Sequence, residues 1–145
     1  MNNDTEIKET TIDDTKRFLK RYRKNRELVN RLRDKVLTYE ERLTSLKSPT
    51  LSDMPRGSLP TPIEDIISDK EETIERIKRL EARGKQIRSE ILDKIDTLDK
   101  VNQVEVLEAF CIDCLEFDDI AETLGYSVRR VVGIYTEAIR QLTNT

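Results

Sequence analysis

Apolar positions fall into three blocks along this 145-residue chain. In the first, Phe18, Tyr22, Asn25, Val29, Leu32, Val36, Tyr39, Leu43 and Leu46 follow one another at alternating spacings of four and three. That rhythm is the seam of a coiled-coil helix, and Asn25 inside it is the kind of single polar residue that fixes register and partner number. Asp13, Asp14 or Thr15 can cap its start. Run to Lys47 without a break, the helix would be about 48 Å long at about 1.5 Å per residue. Residues 1 to 14 are polar and without periodicity, and read as a disordered tail.

The stretch SPTLSDMPRGSLPTP, residues 48 to 62, holds all four prolines of the protein. Proline removes an N–H donor and disfavours helix in the residue before it, so the first helix must stop here. A connection of that length is either a surface linker or a contact loop ordered by a partner. The second apolar block then runs through Ile63, Ile67, Ile74, Ile77, Leu80, Ile87, Ile91, Ile95 and Leu98. Its period drifts, with Lys70 and Gly84 interrupting the stripe, but it predicts one amphipathic helix. Antiparallel pairing of the two helices brings Glu90, Asp93, Asp96 and Asp99 towards the basic residues 16 to 26, which favours a hairpin within one chain. An intermolecular four-helix arrangement satisfies the same pattern.

The third block begins with Val104, Val106, Leu107, Phe110, Cys111 and Leu115, a short helix. It continues as FDDIAETLGYSVRRVVGIYTEAIRQL, residues 117 to 142. Ile120, Ala121 and Leu124 form one apolar run that stops at Gly125; Val131, Ile134, Ala138 and Leu142 form another that opens at Ser127. Glycine takes the left-handed conformation that ends a helix, and serine caps the bare N–H groups that begin the next. Asp118 and Asp119 offset the dipole of the first helix. The predicted unit is a helix-turn-helix, whose second helix can present its first turns to the major groove of DNA. The fold class expected is all-α, a long antiparallel, coiled-coil-like helical hairpin followed by a helix-turn-helix. The expected division is a tail at 1–14, the hairpin at 15–100 with its loop at 48–62, and the helix-turn-helix domain at 101–145.

Composition agrees with long helices: 38 % of residues are charged and only 5 % aromatic. No apolar run approaches the roughly 20 residues that cross a bilayer, and the N-terminal stretch is acidic where a signal peptide is basic and then apolar. A soluble protein of the cytoplasm is expected, with no membrane partner. Cys111 and Cys114 form one C-x-x-C; with no histidine and no second cysteine pair, no closed zinc site can be built. They read as small hydrophobes. No nucleophile with an adjacent base and no phosphate-cradling loop can be found, so no enzyme, no cofactor, no metal and no small-molecule substrate are expected.

Charge is uneven. Residues 16 to 47 carry twelve Lys or Arg against four Asp or Glu, whereas residues 117 to 145 carry three against four. A nearly neutral helix-turn-helix gains little from counterion release and should bind DNA weakly alone. Dimerisation, or docking on another DNA-bound protein, would raise its effective concentration.

The run VLEAFCIDCLEFDDIAETLGYSVRRVVGIYTEAIRQL resembles the fourth region of sigma-70-type factors, through Leu107, Asp119, Ile120, Ala121, Leu124, Gly125, Ser127, Val131, Ala138 and Leu142. Over residues 15 to 142 the chain is similar to a family of small phage and prophage proteins of Gram-positive bacteria, regarded as sigma-like transcriptional regulators. The carrying residues are TKRFLKRYRKNRELV, the Ser52 to Pro55 motif with Gly57, and the terminal motif. Phe110 stands where relatives tend to have a basic residue, Cys114 at a turn position often filled by glycine, and Phe117 where tryptophan is frequent. The resemblance implies double-stranded DNA as partner, with RNA polymerase contact or a homodimer through the hairpin, in the host bacterial cytoplasm. It implies that Ser127 caps the recognition helix and that Val128, Arg129, Arg130 and Gly133 face the groove. Arginine suits the O6 and N7 acceptors of guanine, and Val128 suits a thymine methyl. Lys16, Arg17, Lys20, Arg21 and Lys24, with Arg23 and Arg26 beside them, are candidate phosphate contacts; alternatively they form a solvated face paired with the acidic second helix. The competing expectation for function is a protein-binding adaptor or inhibitor of a host protein in which the helix-turn-helix is a packing module.

Overall fold

The computed structural model describes residues 2–46 and 62–144, with side chains over 11–46 and 63–144. Among these residues there are six helices and no strand, so the chain is all-α. They are α1 (Asn2–Leu19), α2 (Arg21–Leu46), α3 (Pro62–Ile95), α4 (Val101–Cys111), α5 (Phe117–Leu124) and α6 (Val128–Thr143). The chain divides into two compact units: one joins residues 1–24 with 84–145, the other is 25–83.

Two features of the structure bear on where the first helix starts and on how the chain divides. The N-terminal stretch expected as a disordered tail is helical from Asn2, so the first helix does not start at a cap among Asp13, Asp14 and Thr15. Lys20 separates α1 from α2 by one residue only. The Lys20 N–H donates to the Lys16 carbonyl at 3.0 Å, and the Lys24 N–H donates to the Lys20 carbonyl at 3.0 Å, so helical bonding runs through. The second feature is the compact division, set beside the boundary expected near residue 100. The compact division falls inside α2 and α3, because α1, the start of α2 and the end of α3 share a core with the three C-terminal helices. The 48–62 loop, with its Ser52 to Gly57 motif, lies outside the described residues apart from Pro62. That proline is the first residue of α3, where a missing N–H costs nothing, and Glu64 and Asp65 follow in the first turn.

In the unit of residues 25–83, Val29, Leu32 and Ile77 form the buried core, flanked by Leu28, Val36 and Leu80. Asn25 is buried at 8 % exposure, and its Nδ2 donates to the Leu80 carbonyl at 2.9 Å. A buried amide is costly unless paired, so this bond holds α2 and α3 at one register. Lys70 pairs with Glu40 at 3.4 Å, and Arg33 pairs with Glu81. Lys70, which breaks the apolar stripe of α3, is thus accounted for by an ion pair.

The other unit has the larger core. Leu19, Ile91, Ile95, Val106, Leu107, Ile120, Val131 and Ala138 are all fully buried, and Ile12, Phe18 and Tyr22 pack against them. Each such valine, leucine or isoleucine side chain contributes about 1.5–3 kcal/mol over leaving it exposed. The helices α1, α4 and α5 all pack on α6. At its last turn the Thr143 hydroxyl lies 2.7 Å from the Ile139 carbonyl and 2.9 Å from the Thr15 hydroxyl of α1. Of the acidic residues expected to meet the basic stretch, Glu90 does so, accepting from Arg21 at 2.8 Å.

Candidate nucleic-acid interface

The joint between α5 and α6 is built by three residues. Gly125 takes φ 72° and ψ 30°, the left-handed conformation that ends α5, and the Tyr126 N–H returns to the Ala121 carbonyl at 2.9 Å. Ser127 is extended, and its hydroxyl accepts from the Arg130 N–H at 3.1 Å, capping α6. Both residues act locally as their sequence context predicts.

The helix α6 has two unlike sides. Val131, Tyr135, Ala138, Ile139 and Leu142 are buried against the other helices. Val128 is 43 % exposed and Val132 39 %, and Arg129, Arg130 and Gly133 are exposed beside them. A methyl group built on Gly133 would meet nothing within 4 Å, so the face is open there. Among the described residues Arg129 has no ion-pair partner. Arg130 lies over the Tyr126 ring at 4.1 Å from its centroid, a cation–π contact that steadies the guanidinium at the edge of the face. The predicted groove-facing residues are therefore brought together on one solvent-exposed side, and Val132 joins them.

The candidate phosphate contacts are placed differently. Arg21 is committed to Glu90 and lies over the Phe18 ring at 5.4 Å; Arg17 lies 3.7 Å from Asp14. Lys16 and Lys20 are half-buried, and Lys24 is exposed. Thr15, just before this stretch, touches Thr143 at the last turn of α6. Fifteen residues of helix, roughly 22 Å at about 1.5 Å each, separate that turn from Val128. Lys16 and Arg17 thus start at the end of α6 opposite to the groove-facing residues.

Sequence reasoning missed the role of the residue that ties the unit together. Arg23, expected to face phosphates or solvent, points inward with a side chain 14 % exposed. Its Nη1 donates to the Phe110 carbonyl at 2.8 Å and to the Leu115 carbonyl at 3.1 Å, and its Nη2 donates to Glu116 at 2.6 Å. The guanidinium lies over the Phe110 ring at 4.2 Å. Phe110 stacks on Phe117 at 4.8 Å, and both meet the Tyr135 ring edge-on at 5.1 Å. One cation therefore donates to one carbonyl at the end of α4 and one in the α4–α5 connection, pairs with the residue that precedes α5, and covers an aromatic cluster that includes Tyr135 of α6. Its partners lie 87 or more residues away in sequence, so no local signal marks it.

The remaining polar chemistry in this core is silent. Burial pushes the Cys111 thiol up to about 12, against smaller lowering by Arg23, and burial pushes the Tyr135 hydroxyl up to about 12 as well. Cys111 and Cys114 form no disulfide. Cys114 has φ 60°, in the left-handed region that L side chains avoid, at the turn position where the resemblance led one to expect glycine. The described residues contain no group of His, Cys, Asp or Glu able to hold a metal ion, and no helix long and apolar enough to cross a membrane. No family model, curated protein or solved structure matches this chain.

Proposed function

We propose that this chain is a transcriptional regulator of the sigma-region-four-like type, akin to the small phage and prophage proteins it resembles, acting in the bacterial cytoplasm. In this reading α5 and α6 are a helix-turn-helix that binds double-stranded DNA through Val128, Arg129, Arg130 and Gly133, capped by Ser127. The α2–α3 pair is a helical hairpin that serves oligomerisation or RNA polymerase contact. The observation that carries the reading is the two-sided character of α6: one side is buried from Val131 to Leu142, while the capped first turns of the other expose two arginines, two valines and an open glycine. That is the composition a major groove accepts, with guanidinium for guanine and branched methyls for thymine. Capture of DNA genome-wide from cells expressing the protein tests it. Discrete enriched sites are expected; recovery no different from a mock capture rejects DNA binding.

A second reading, that of a protein-binding adaptor or inhibitor, draws on the exposed pair Val128 and Val132, one helical turn apart, and on the slight negative balance of residues 117 to 145. Both features suit an apolar protein surface better than a polyanion. Stoichiometric copurification with one host protein, with no DNA retained even at low salt, is its signature.

A further inference from the structure

In the unit of residues 25–83, α2 and α3 run antiparallel, since Asn25 meets Leu80 and Glu40 meets Lys70. Charge is divided along this pair. The half made of residues 25–35 and 76–83 carries eight Lys or Arg against three Asp or Glu. The half made of residues 36–46 and 62–75 carries eight Asp or Glu against two Lys or Arg. From this polarity we infer that the pair docks, side by side and antiparallel, on the same two helices of a second copy of this chain. The basic half of each copy then lies on the acidic half of the other.

Two further observations give the contact a face and a register. The first is apolar surface that two helices leave uncovered. Val29, Leu32 and Ile77 are buried, but Val36, Tyr39, Leu43, Ile66 and Ile74 are only half-buried, and Leu46 is 37 % exposed. Two helices close one seam between them and need another layer to cover the rest. The second is a cleft where the charge changes sign, lined by Lys35, Tyr39, Asp69, Glu72, Thr73 and Arg76. Lys35, Asp69, Glu72 and Arg76 are exposed, and none of them makes an ion pair among the described residues. Ile66, Asp69, Thr73 and Arg76 recur at spacings of three, four and three, and Ile66 lines an apolar cleft with Leu46 of α2. Side chains at those spacings share one side of a helix, so both clefts follow one side of the pair.

A two-fold axis through the charged cleft makes the contact self-complementary. Lys35 and Arg76 of each copy then face Asp69 and Glu72 of the other. Level with this cleft on α2 is Leu37, midway between Lys35 and Tyr39; Leu46 lies nine residues after it and Leu28 nine before. Antiparallel α2 helices therefore place Leu46 of one copy opposite Leu28 of the other, and Leu28 is a half-buried flank of the small core. The charges set orientation and the leucines bury area. A parallel pairing sets like charge on like, and a polyanion or a partner surface of one sign matches only one half. This gives the α2–α3 pair of the proposed regulator one partner, and it rests on that part of the reading and not on DNA binding.

Sedimentation equilibrium of the full chain at low salt tests the contact, one chain being 17.0 kDa. Twice that mass is expected, falling towards one chain as added salt screens the charges. Lys35→Glu/Arg76→Glu makes the charged cleft wholly acidic, and Asp69→Lys/Glu72→Lys makes it wholly basic. Each variant alone should sediment as a monomer with its helicity, read by circular dichroism, unchanged, because all four positions are exposed. An equimolar mixture of the two variants should restore the dimer, a rescue that a dimer built on any other face does not show. A parent chain that stays monomeric at every concentration overturns the second copy as the occupant. A dimer that persists in both variants, or that fails to re-form in their mixture, overturns this face. Genome-wide DNA capture reads α6 whether or not the chain dimerises, so a failed dimer and a failed DNA reading are told apart.

Discussion

The two compact units stand on different physics. In the unit formed by residues 1–24 and 84–145, fifteen described side chains from five helices share one buried core. In the unit of residues 25–83, Val29, Leu32 and Ile77 are the buried apolar side chains described, and specificity is carried by the Asn25 bond to Leu80 and by ion pairs at half-exposed positions. Exposed ion pairs contribute about 0–1 kcal/mol each, far less than buried aliphatic groups. The difference teaches where mutation should hurt: the first unit should resist as a block, and the second should open at lower cost.

The largest effect expected is at the centre of the larger core. Ile91→Ala, at a position with no exposure, should cost about 3–5 kcal/mol of unfolding free energy, against about 2 kcal/mol for Ile77→Ala in the smaller core. Urea unfolding with hydrogen exchange resolves both; equal costs would erase the contrast drawn between the units. Next comes Arg23. Its truncation to alanine removes two carbonyl bonds, an ion pair and a ring contact, and should cost about 2–3 kcal/mol, with Arg23→Lys recovering little because an ammonium cannot span both carbonyls in one plane.

Alkaline pH probes the same core without mutation. Cys111 and Tyr135 hold their protons to about 12 in the folded chain, whereas the unfolded chain releases them from about 9 and 10. Above those values the unfolded state binds fewer protons, so stability is full below about pH 9 and falls as pH rises towards 12. Denaturation curves from pH 7 to 10.5 should show this fall, and Cys111→Ala should move its onset upward towards the tyrosine range. The smallest effect is a gain. Cys114→Gly relieves a left-handed residue and should raise stability by about 1 kcal/mol, read as a higher thermal midpoint.

What could be read from sequence was local. The Gly125 turn, the Ser127 cap and the acidic first turn of α5 depend on neighbours within four residues, and all three are found in the structure. The heptad seam was also legible as a stripe, but its division was not: Phe18 and Tyr22 pack on one core and Val29 and Leu32 form another, though a single spacing rule runs through all four. Periodicity states which side of a helix is apolar and says nothing of which partner covers it. The same limit explains Leu19, absent from the seam yet fully buried, and Arg23, whose charge suggested solvent while its geometry serves two distant backbone carbonyls and a carboxylate. The composition of the first fourteen residues suggested disorder, and the helix from Asn2 instead leads into the packing of Ile12, Phe18 and Leu19 on the C-terminal helices.

The central claim, that the exposed turns of α6 read DNA, is tested most directly by titrating a captured DNA fragment with the parent protein and with Arg129→Ala/Arg130→Ala at fixed salt. Both arginines lie on the solvent side, so helicity and thermal midpoint should be unchanged, while specific affinity should fall at least tenfold. Equal affinity of the two proteins for that fragment would contradict the assignment of α6 as the reading helix.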